Sequence, residues 1–124
     1  MLHNNLYTIQ SLTDIENDIQ ASVLLRADHA IFKGHFPGQP VLPGVCMLEM
    51  ISEITGENLN NEFRISGAPL IKFLRMIDPQ KNPEIRLEIK YQSSPESVTT
   101  NGKIFYDSQV FMKFQMILVP VKKA

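Results

Sequence analysis

Residues 34–49 read Gly34-His35-Phe36-Pro37-Gly38-Gln39-Pro40-Val41-Leu42-Pro43-Gly44-Val45-Cys46-Met47-Leu48-Glu49, and this stretch decides the fold. It holds three prolines and three glycines and then runs directly into an apolar helical pattern. The prolines and glycines predict an irregular backbone as far as Leu42. Pro43 suits the first position of a helix, where a backbone N–H would have no partner within the helix. A stiff turn is therefore expected to lead into a helix.

The helix is predicted to run from residue 43 to about 55, with Gly56 as its C-terminal stop. Its apolar side chains spread around most of the helix circumference, which is typical of a helix buried on nearly all sides. These side chains are Val45, Met47, Leu48, Met50, Ile51 and Ile54.

The rest of the chain reads mainly as strands. Apolar alternation and β-rich composition predict them at residues 5–12, 20–26, 63–75 (with a bend or edge at Gly67 and Pro69), 85–92, 98–106 and 110–119. The last two are expected to be joined by a tight turn near Asp107-Ser108. One buried helix followed by antiparallel strands predicts an α+β domain in which a sheet wraps the helix.

Composition limits the possible classes of protein. The 124 residues fit one domain, assigned to residues 1–124, and 44% of them are hydrophobic, enough for a core. A net charge of −1 gives no reason to expect nucleic-acid binding. The single cysteine, Cys46, excludes an internal disulfide framework and a cysteine-rich zinc site. His3 and His29 match no metal-ligand spacing, so no metal is expected.

Neither a signal peptide nor a membrane span is apparent in the sequence. The start of the chain lacks a basic region followed by an apolar run, and no apolar stretch approaches the roughly 20 residues of a span. A cytoplasmic protein without a membrane partner is therefore expected.

His35 and Glu49 are the candidate acid–base residues. A lone histidine is usually a surface residue, but Gly34 and the rigid turn after His35 would let a ligand come close. Glu49 could be a solvated helix carboxylate, yet its neighbours are apolar. In an apolar setting the charged form is disfavoured, so Glu49 could hold a proton near neutral pH and act as a general acid.

The first turn of the predicted helix is the third candidate feature. The backbone N–H groups of Gly44 and Val45 have no intrahelical partner and could polarise a carbonyl oxygen, although an ordinary helix start is the alternative. Cys46 is a weaker candidate nucleophile and is better explained as a small buried residue. Glu53, one turn after Glu49, is a second buried acid, a contact between subunits or a solvated residue.

These residues resemble the signature of the 3-hydroxyacyl-[acyl-carrier-protein] dehydratases of type II fatty acid synthesis. The match comprises Gly34-His35-Phe36-Pro37-Gly38, Pro40, Pro43-Gly44-Val45 and Glu49, fourteen residues after His35, followed by Thr55-Gly56. Residues 73–79 resemble the family's next motif weakly. The resemblance implies a hot-dog fold, an antiparallel sheet wrapped around one long helix. It also implies a homodimer, with a trimer of dimers as a larger alternative, and no cofactor.

In such a dimer each active site would combine His35 of one subunit with Glu49 of the other. The implied substrate is a 3-hydroxyacyl chain on acyl carrier protein, and the implied product is the trans-2-enoyl thioester. His35 would remove the C2 proton, Gly44 and Val45 N–H groups would bind the thioester carbonyl, and Glu49 would protonate the departing hydroxyl. An acidic carrier needs a basic surface. The basic candidates are Lys33, Lys72, Arg75, Lys122 and Lys123.

Departures from the family pattern leave the acyl specificity open. Glu53 stands where relatives often have glutamine, Met76 replaces a motif proline, and Pro79-Gln80-Lys81 replaces a Pro-Gly-Asp element. These changes suggest a divergent branch that serves fatty acid, polyene or other lipid synthesis. The alternatives are a hot-dog thioesterase, an isomerising dehydratase, which typically has aspartate at the acid position, and a non-catalytic acyl-binding subunit.

Overall fold

The computed structural model describes residues 2–32 and 40–122. The described elements, in chain order, are β1 (Tyr7–Ile15), β2 (Asp18–Leu25), a single 3₁₀ turn (Ala30–Phe32), α1 (Gly44–Leu59), β3 (Phe63–Phe73), β4 (Glu84–Ser93), β5 (Val98–Tyr106) and β6 (Gln109–Pro120). All six predicted strands and the predicted helix are present, with ends displaced by a few residues. The assignment of residues 1–124 to one domain stays a prediction.

The six strands form one antiparallel sheet in the order β1-β2-β4-β5-β6-β3. The helix connection between β2 and β3 carries the chain from one side of the sheet to its far edge, so that β3 pairs with β6 and not with β2. The β5–β6 hairpin turns at Asp107, which has a positive φ of 50°, as the sequence predicted for this turn.

The core lies between the sheet and α1. In β2 and β4, buried residues alternate with more exposed ones, so that one face of each strand packs into the core and the other faces solvent. Ala21 pairs with Leu87, which pairs in turn with Ile104, and all three are buried. On the helix side, Met50, Ile51 and Ile54 are fully buried. The predicted α+β architecture, with a sheet packed around one helix, is therefore confirmed.

The predicted helix stop at Gly56 is wrong. Helix α1 continues to Leu59 and ends at Asn60, which adopts the left-handed conformation (φ 53°, ψ 49°) and donates its backbone N–H to the Gly56 carbonyl. Gly56 lies inside the helix and is buried. A Cβ atom at this position would lie 2.5 Å from the Asn61 carbonyl oxygen. Glycine is therefore required here for close packing, while Asn60 supplies the C-terminal cap.

The expectation that α1 is buried on nearly all sides is also wrong. Val45 is 72% exposed, and Glu49 and Glu57 are exposed as well. These residues follow one another at four-residue intervals with Glu53 between them, so they share one side of the helix. We call the side of α1 with positions 45, 49, 53 and 57 its open face, because three of these four side chains are exposed and only Glu53 is partly buried.

Strand β3 forms one edge of the sheet. Its register with β6 shifts between Ile65 and Gly67 and again between Gly67 and Leu70, which confirms the bend predicted at Gly67 and Pro69. Exposed apolar side chains cluster where this strand ends, namely Leu70, Phe73, Leu74 and Met76. Unpaired backbone and exposed apolar surface at an edge are features that favour association with another chain.

Candidate active site

A groove lies where α1 begins and β3 ends. Its volume is about 480 Å³. Its lining is mostly apolar and consists of Val41, Leu42, Pro43, Gly44, Met47, Phe73, Leu74, Arg75 and Met76. Gly44 permits the close approach of the two elements, since a Cβ atom there would lie 2.7 Å from Cζ of Phe73. The helix start is thus placed in the wall of an apolar groove.

Gly44 lines this groove, and the N–H groups of Gly44 and Val45 are the first two of α1. Cys46 and Met47 donate their backbone N–H groups to the Pro43 carbonyl, at 3.0 and 3.3 Å. Within the part of the chain that the structure describes, the N–H groups of Gly44 and Val45 contact no acceptor, and no side chain caps the helix. Two such donors at the positive end of a helix dipole can bind a carbonyl oxygen and stabilise negative charge on it.

Glu49 lies in the second turn of the helix, on its open face. It borders a second cavity of about 460 Å³, which is more polar than the groove and is lined partly by Ser52, Glu53 and Phe63. Partial burial of the carboxyl group and, to a smaller extent, the negative charge of Glu53 raise the pKa of Glu49 above its usual value. A carboxyl group with a raised pKa holds its proton nearer to neutral pH, as a general acid must.

Glu53 is not a solvated residue but an acceptor for the start of the chain. Its Oε2 accepts the backbone N–H of Leu2 at 2.9 Å, and its Oε1 accepts the backbone N–H of His3 at 2.9 Å and the hydroxyl of Tyr7 at 3.0 Å. Tyr7 is fully buried. Burial, followed by the negative charge of Glu53, raises the pKa of Tyr7 well above its usual range, so that the phenol keeps its proton and donates it.

Among the described residues, the other histidine and cysteine candidates have structural contacts and no catalytic arrangement. Cys46 is buried, and burial followed by the charge of Glu49 raises the pKa of its thiol, which opposes a nucleophilic role. The Nδ1 atom of His29 accepts the backbone N–H of Ile31 at 3.1 Å. In residues 2–32 and 40–122 no group of three or more His, Cys, Asp or Glu side chains could hold a metal ion. No described helix is long and apolar enough to cross a membrane.

The structure brings together only part of the predicted site. His35 lies outside the described residues, as do Lys33 and Lys123, so the role assigned to His35 stays a prediction. Gly44 lines the groove, the exposed Val45 follows it in the chain, and Glu49, on the same helix, borders the second cavity.

Of two further parts of this region, one was not predicted from the sequence and the other was indicated only weakly. Tyr7 was not singled out, because its contact with Glu53 joins positions 46 residues apart and leaves no local pattern. Phe73, Leu74 and Met76 line the groove. The weak motif resemblance at residues 73–79 was the only sequence signal for this wall.

Comparison with known proteins places this chain in a family. The model of the ApeI-like family, described as ApeI dehydratase, matches residues 11–108. A 3-hydroxyacyl-[acyl-carrier-protein] dehydratase FabZ from Clostridium acetobutylicum is 28% identical over 92 residues. That match covers 64% of this chain and 65% of the relative, so this chain spans slightly less than two thirds of the relative's length.

Solved structures share the fold. The dehydratase heterocomplex ApeI:P from Xenorhabdus doucetiae superposes with a TM-score of 0.70 at 19% identity, over 90% of this chain and 96% of that one. A structure described as the putative thioesterase yhdA from Lactococcus lactis gives a TM-score of 0.68 at 12% identity, over 100% and 98%. The expected hot-dog fold is therefore confirmed.

Proposed function

Because this chain belongs to the ApeI-like dehydratase family, we propose that it removes water from 3-hydroxyacyl thioesters carried by acyl carrier protein and forms trans-2-enoyl thioesters. The observation that carries this proposal is the pair of N–H groups at Gly44 and Val45, which contact no acceptor within the described residues. They begin the helix that also bears Glu49, and Gly44 lines an apolar groove there. An apolar groove suits an acyl chain, and the two donors suit a thioester oxygen.

The proposed mechanism balances as a simple elimination. His35 takes the proton from C2, and the electrons of that bond form the C2–C3 double bond as the C3–O bond breaks. The N–H groups of Gly44 and Val45 stabilise the negative charge that develops on the thioester oxygen. Glu49 gives its proton to the departing hydroxyl, which leaves as water. The raised pKa of Glu49 supports its role as the acid, and no metal or cofactor is needed.

A direct assay tests the reaction. The purified protein is incubated with a 3-hydroxyacyl carrier protein, and the products are separated by mass spectrometry. We expect an enoyl carrier protein 18 mass units lighter, the mass of one water. We expect Glu49→Gln to lower kcat by about 10²–10⁴-fold, the usual contribution of a general acid. Free acid with no enoyl product would instead support the thioesterase alternative, which the Lactococcus lactis neighbour makes reasonable.

A homodimer with shared sites is part of the proposal. Support comes from the open face of α1 and from the apolar edge at Leu70, Phe73 and Met76, both of which a second chain could cover. Mixing inactive His35→Ala and Glu49→Gln chains after reversible dissociation tests this. A mixed dimer would contain one intact site if His35 and Glu49 come from different chains. Recovered activity is expected, whereas sites made within one chain would stay inactive.

Arg75 is proposed as a contact for the acidic carrier protein. The enzyme and its carrier protein are proposed to act together in the cytoplasm. Arg75 is exposed and lines the groove where a carrier-bound chain would enter. We expect Arg75→Glu to raise KM for the carrier-bound substrate by about tenfold with little change in kcat, because rim charges act mainly on association. Arg86→Glu, on β4 away from the groove, is the matched control. Equal KM effects in both variants would contradict this assignment.

A further inference from the structure

Two carboxylates follow each other on the open face of α1. Glu49 and Glu53 are four residues apart and border the same cavity, so their side chains are neighbours on the helix. Two like charges at this spacing repel each other, and the repulsion disappears when one of the two takes up a proton. Which of them takes the proton depends on the hydrogen bonds that each one makes.

The hydrogen bonds distinguish the two carboxylates clearly. Three donors contact the oxygens of Glu53, and their distances are 2.9, 2.9 and 3.0 Å. An ionised carboxylate is purely an acceptor and can satisfy all of them, whereas a protonated one would direct a hydrogen at a donor. Within the described residues Glu49 has no such donor. When the repulsion between the two carboxylates leads one of them to take up a proton, that one is therefore Glu49.

The donors come from a segment that is itself held firmly. The N-terminal segment, residues 2–7, folds back on itself through backbone hydrogen bonds from Asn5 and Leu6 to the Leu2 carbonyl, at 3.0 and 2.7 Å. Leu6 and Tyr7 at its end are fully buried in the core. The ring of His3 stacks on that of Tyr7 with centroids 5.5 Å apart. Glu53 is thus fixed by main-chain donors and a buried phenol.

We propose that Glu53 is a positioning residue: its charge adds to the partial burial of Glu49 in favouring the acid form, and the N-terminal segment holds that charge in place. The proposal rests on the proposed function, because only an acid catalyst at Glu49 needs a proton. This role explains why Glu53 stands one turn after Glu49, since repulsion between two carboxylates at this spacing would otherwise only destabilise the helix.

The other charged groups around Glu49 act less strongly or in the opposite sense. The amino group at the start of the chain lowers the pKa of Glu49, but its effect follows those of burial and Glu53. Glu57 and Glu62 border the same cavity further along, and the Cys46 thiol stays neutral. Tyr7 also stays neutral and acts as a donor. Glu53 is therefore the charge to remove in a test.

The first experiment needs no catalysis. Carboxyl ¹³C chemical shifts of glutamate-labelled protein are followed by NMR from pH 3 to 9, with the Glu49 signal assigned from its loss in Glu49→Gln. We expect the midpoint of the Glu49 titration (the Glu49 midpoint) to move to lower pH in Glu53→Gln. Glu57→Gln, one turn further along the same face, is the matched control and should leave the midpoint nearly unchanged. An unmoved Glu49 midpoint in Glu53→Gln would overturn the proposal.

A second variant separates charge from structure. Glu53→Gln also disturbs a hydrogen bond to the N-terminal segment, because its amide nitrogen cannot accept. Tyr7→Phe removes one donor but keeps the charge of Glu53. We expect the Glu49 midpoint in Tyr7→Phe to stay near that of the wild type. A fall as large as in Glu53→Gln would mean that loosening of the segment is responsible, and the proposal would be wrong.

The pH dependence of activity then links the pair to the reaction. A lower Glu49 midpoint reduces the protonated fraction only at pH values above that midpoint. The ratio of wild-type to Glu53→Gln kcat/KM should therefore approach one at low pH and rise to a constant value at high pH, whatever the pKa of the base. A shifted NMR midpoint with a flat ratio would leave the charge coupling intact and would contradict the acid role of Glu49 itself.

Discussion

At the scale of single residues, close contacts decide which glycines this fold requires. Gly102 lies in the middle of β5, paired with Ile89 on one side and Phe114 on the other. A Cβ atom at Gly102 would lie 1.8 Å from the Glu88 carbonyl oxygen, which is backbone and has no freedom to move aside. Gly67 in β3 has no such neighbour, since its nearest atom would be Cδ1 of Ile117 at 3.7 Å.

These contacts predict opposite outcomes for one substitution. Gly102→Ala should lower the free energy of unfolding by about 3 kcal/mol or more, because two central strands must separate to admit the methyl group. Gly67→Ala should change it by only about 0.5 kcal/mol. Urea unfolding followed by circular dichroism measures both. Similar destabilisation by the two substitutions would contradict the close approach at Gly102.

At the scale of elements, one carboxylate joins three of them. Asp14 in β1 accepts hydrogen bonds from the Tyr91 hydroxyl in β4 and from Asn58 Nδ2 near the end of α1. β1 and β4 are not neighbours in the sheet, because β2 lies between them. The hydrogen bond from Tyr91, followed by that from Asn58, lowers the pKa of Asp14, so the folded state favours the ionised form.

The sign of this shift predicts a pH-dependent loss of stability. A carboxyl group with a lowered folded-state pKa stabilises the fold above its unfolded pKa of about 3.9, and the contribution disappears as the pH falls through the folded value. Tyr91→Phe should therefore be less stable than the wild type at pH 7, and the difference should shrink below about pH 4. Urea midpoints at pH 7 and pH 3 measure this. A difference that is equal at both pH values would contradict the charge-assisted contact.

Prediction from sequence was accurate for elements whose local pattern matches their final environment. The alternation of apolar and polar residues in β4 predicts one buried and one exposed face, and in the sheet the apolar side chains are the buried ones. The end of α1 was misplaced because glycine marks both helix stops and close contacts, and only the tertiary contact of Gly56 with Asn61 distinguishes the two. The exposure of Val45 was not predicted because valine is apolar, and the spacing of apolar residues along a helix does not show which of them the rest of the fold covers.

At the scale of the whole molecule, the open face of α1 predicts an interface. Val45 is 72% exposed on that face, and Ile15, which is not part of α1, is 71% exposed at the end of β1. If α1 faces a second subunit, Val45→Lys should weaken the dimer at least about tenfold, because an unpaired charge is costly to bury. Ile15→Lys should not change the assembly. Light scattering coupled to gel filtration over a dilution series measures this, and a dimer unaffected by Val45→Lys would contradict this interface.

By itself, the sequence determined the class of protein: a helix after a stiff turn, antiparallel strands, and the residue pattern of a dehydratase family, because these depend on local order and on spacing along the chain. Only the tertiary structure decided what surrounds each residue. It placed the start of α1 against Phe73, left most of one side of the helix exposed, and brought residues 2–7 to Glu53. Such contacts join positions far apart in the chain, and no local pattern encodes which distant atoms will meet.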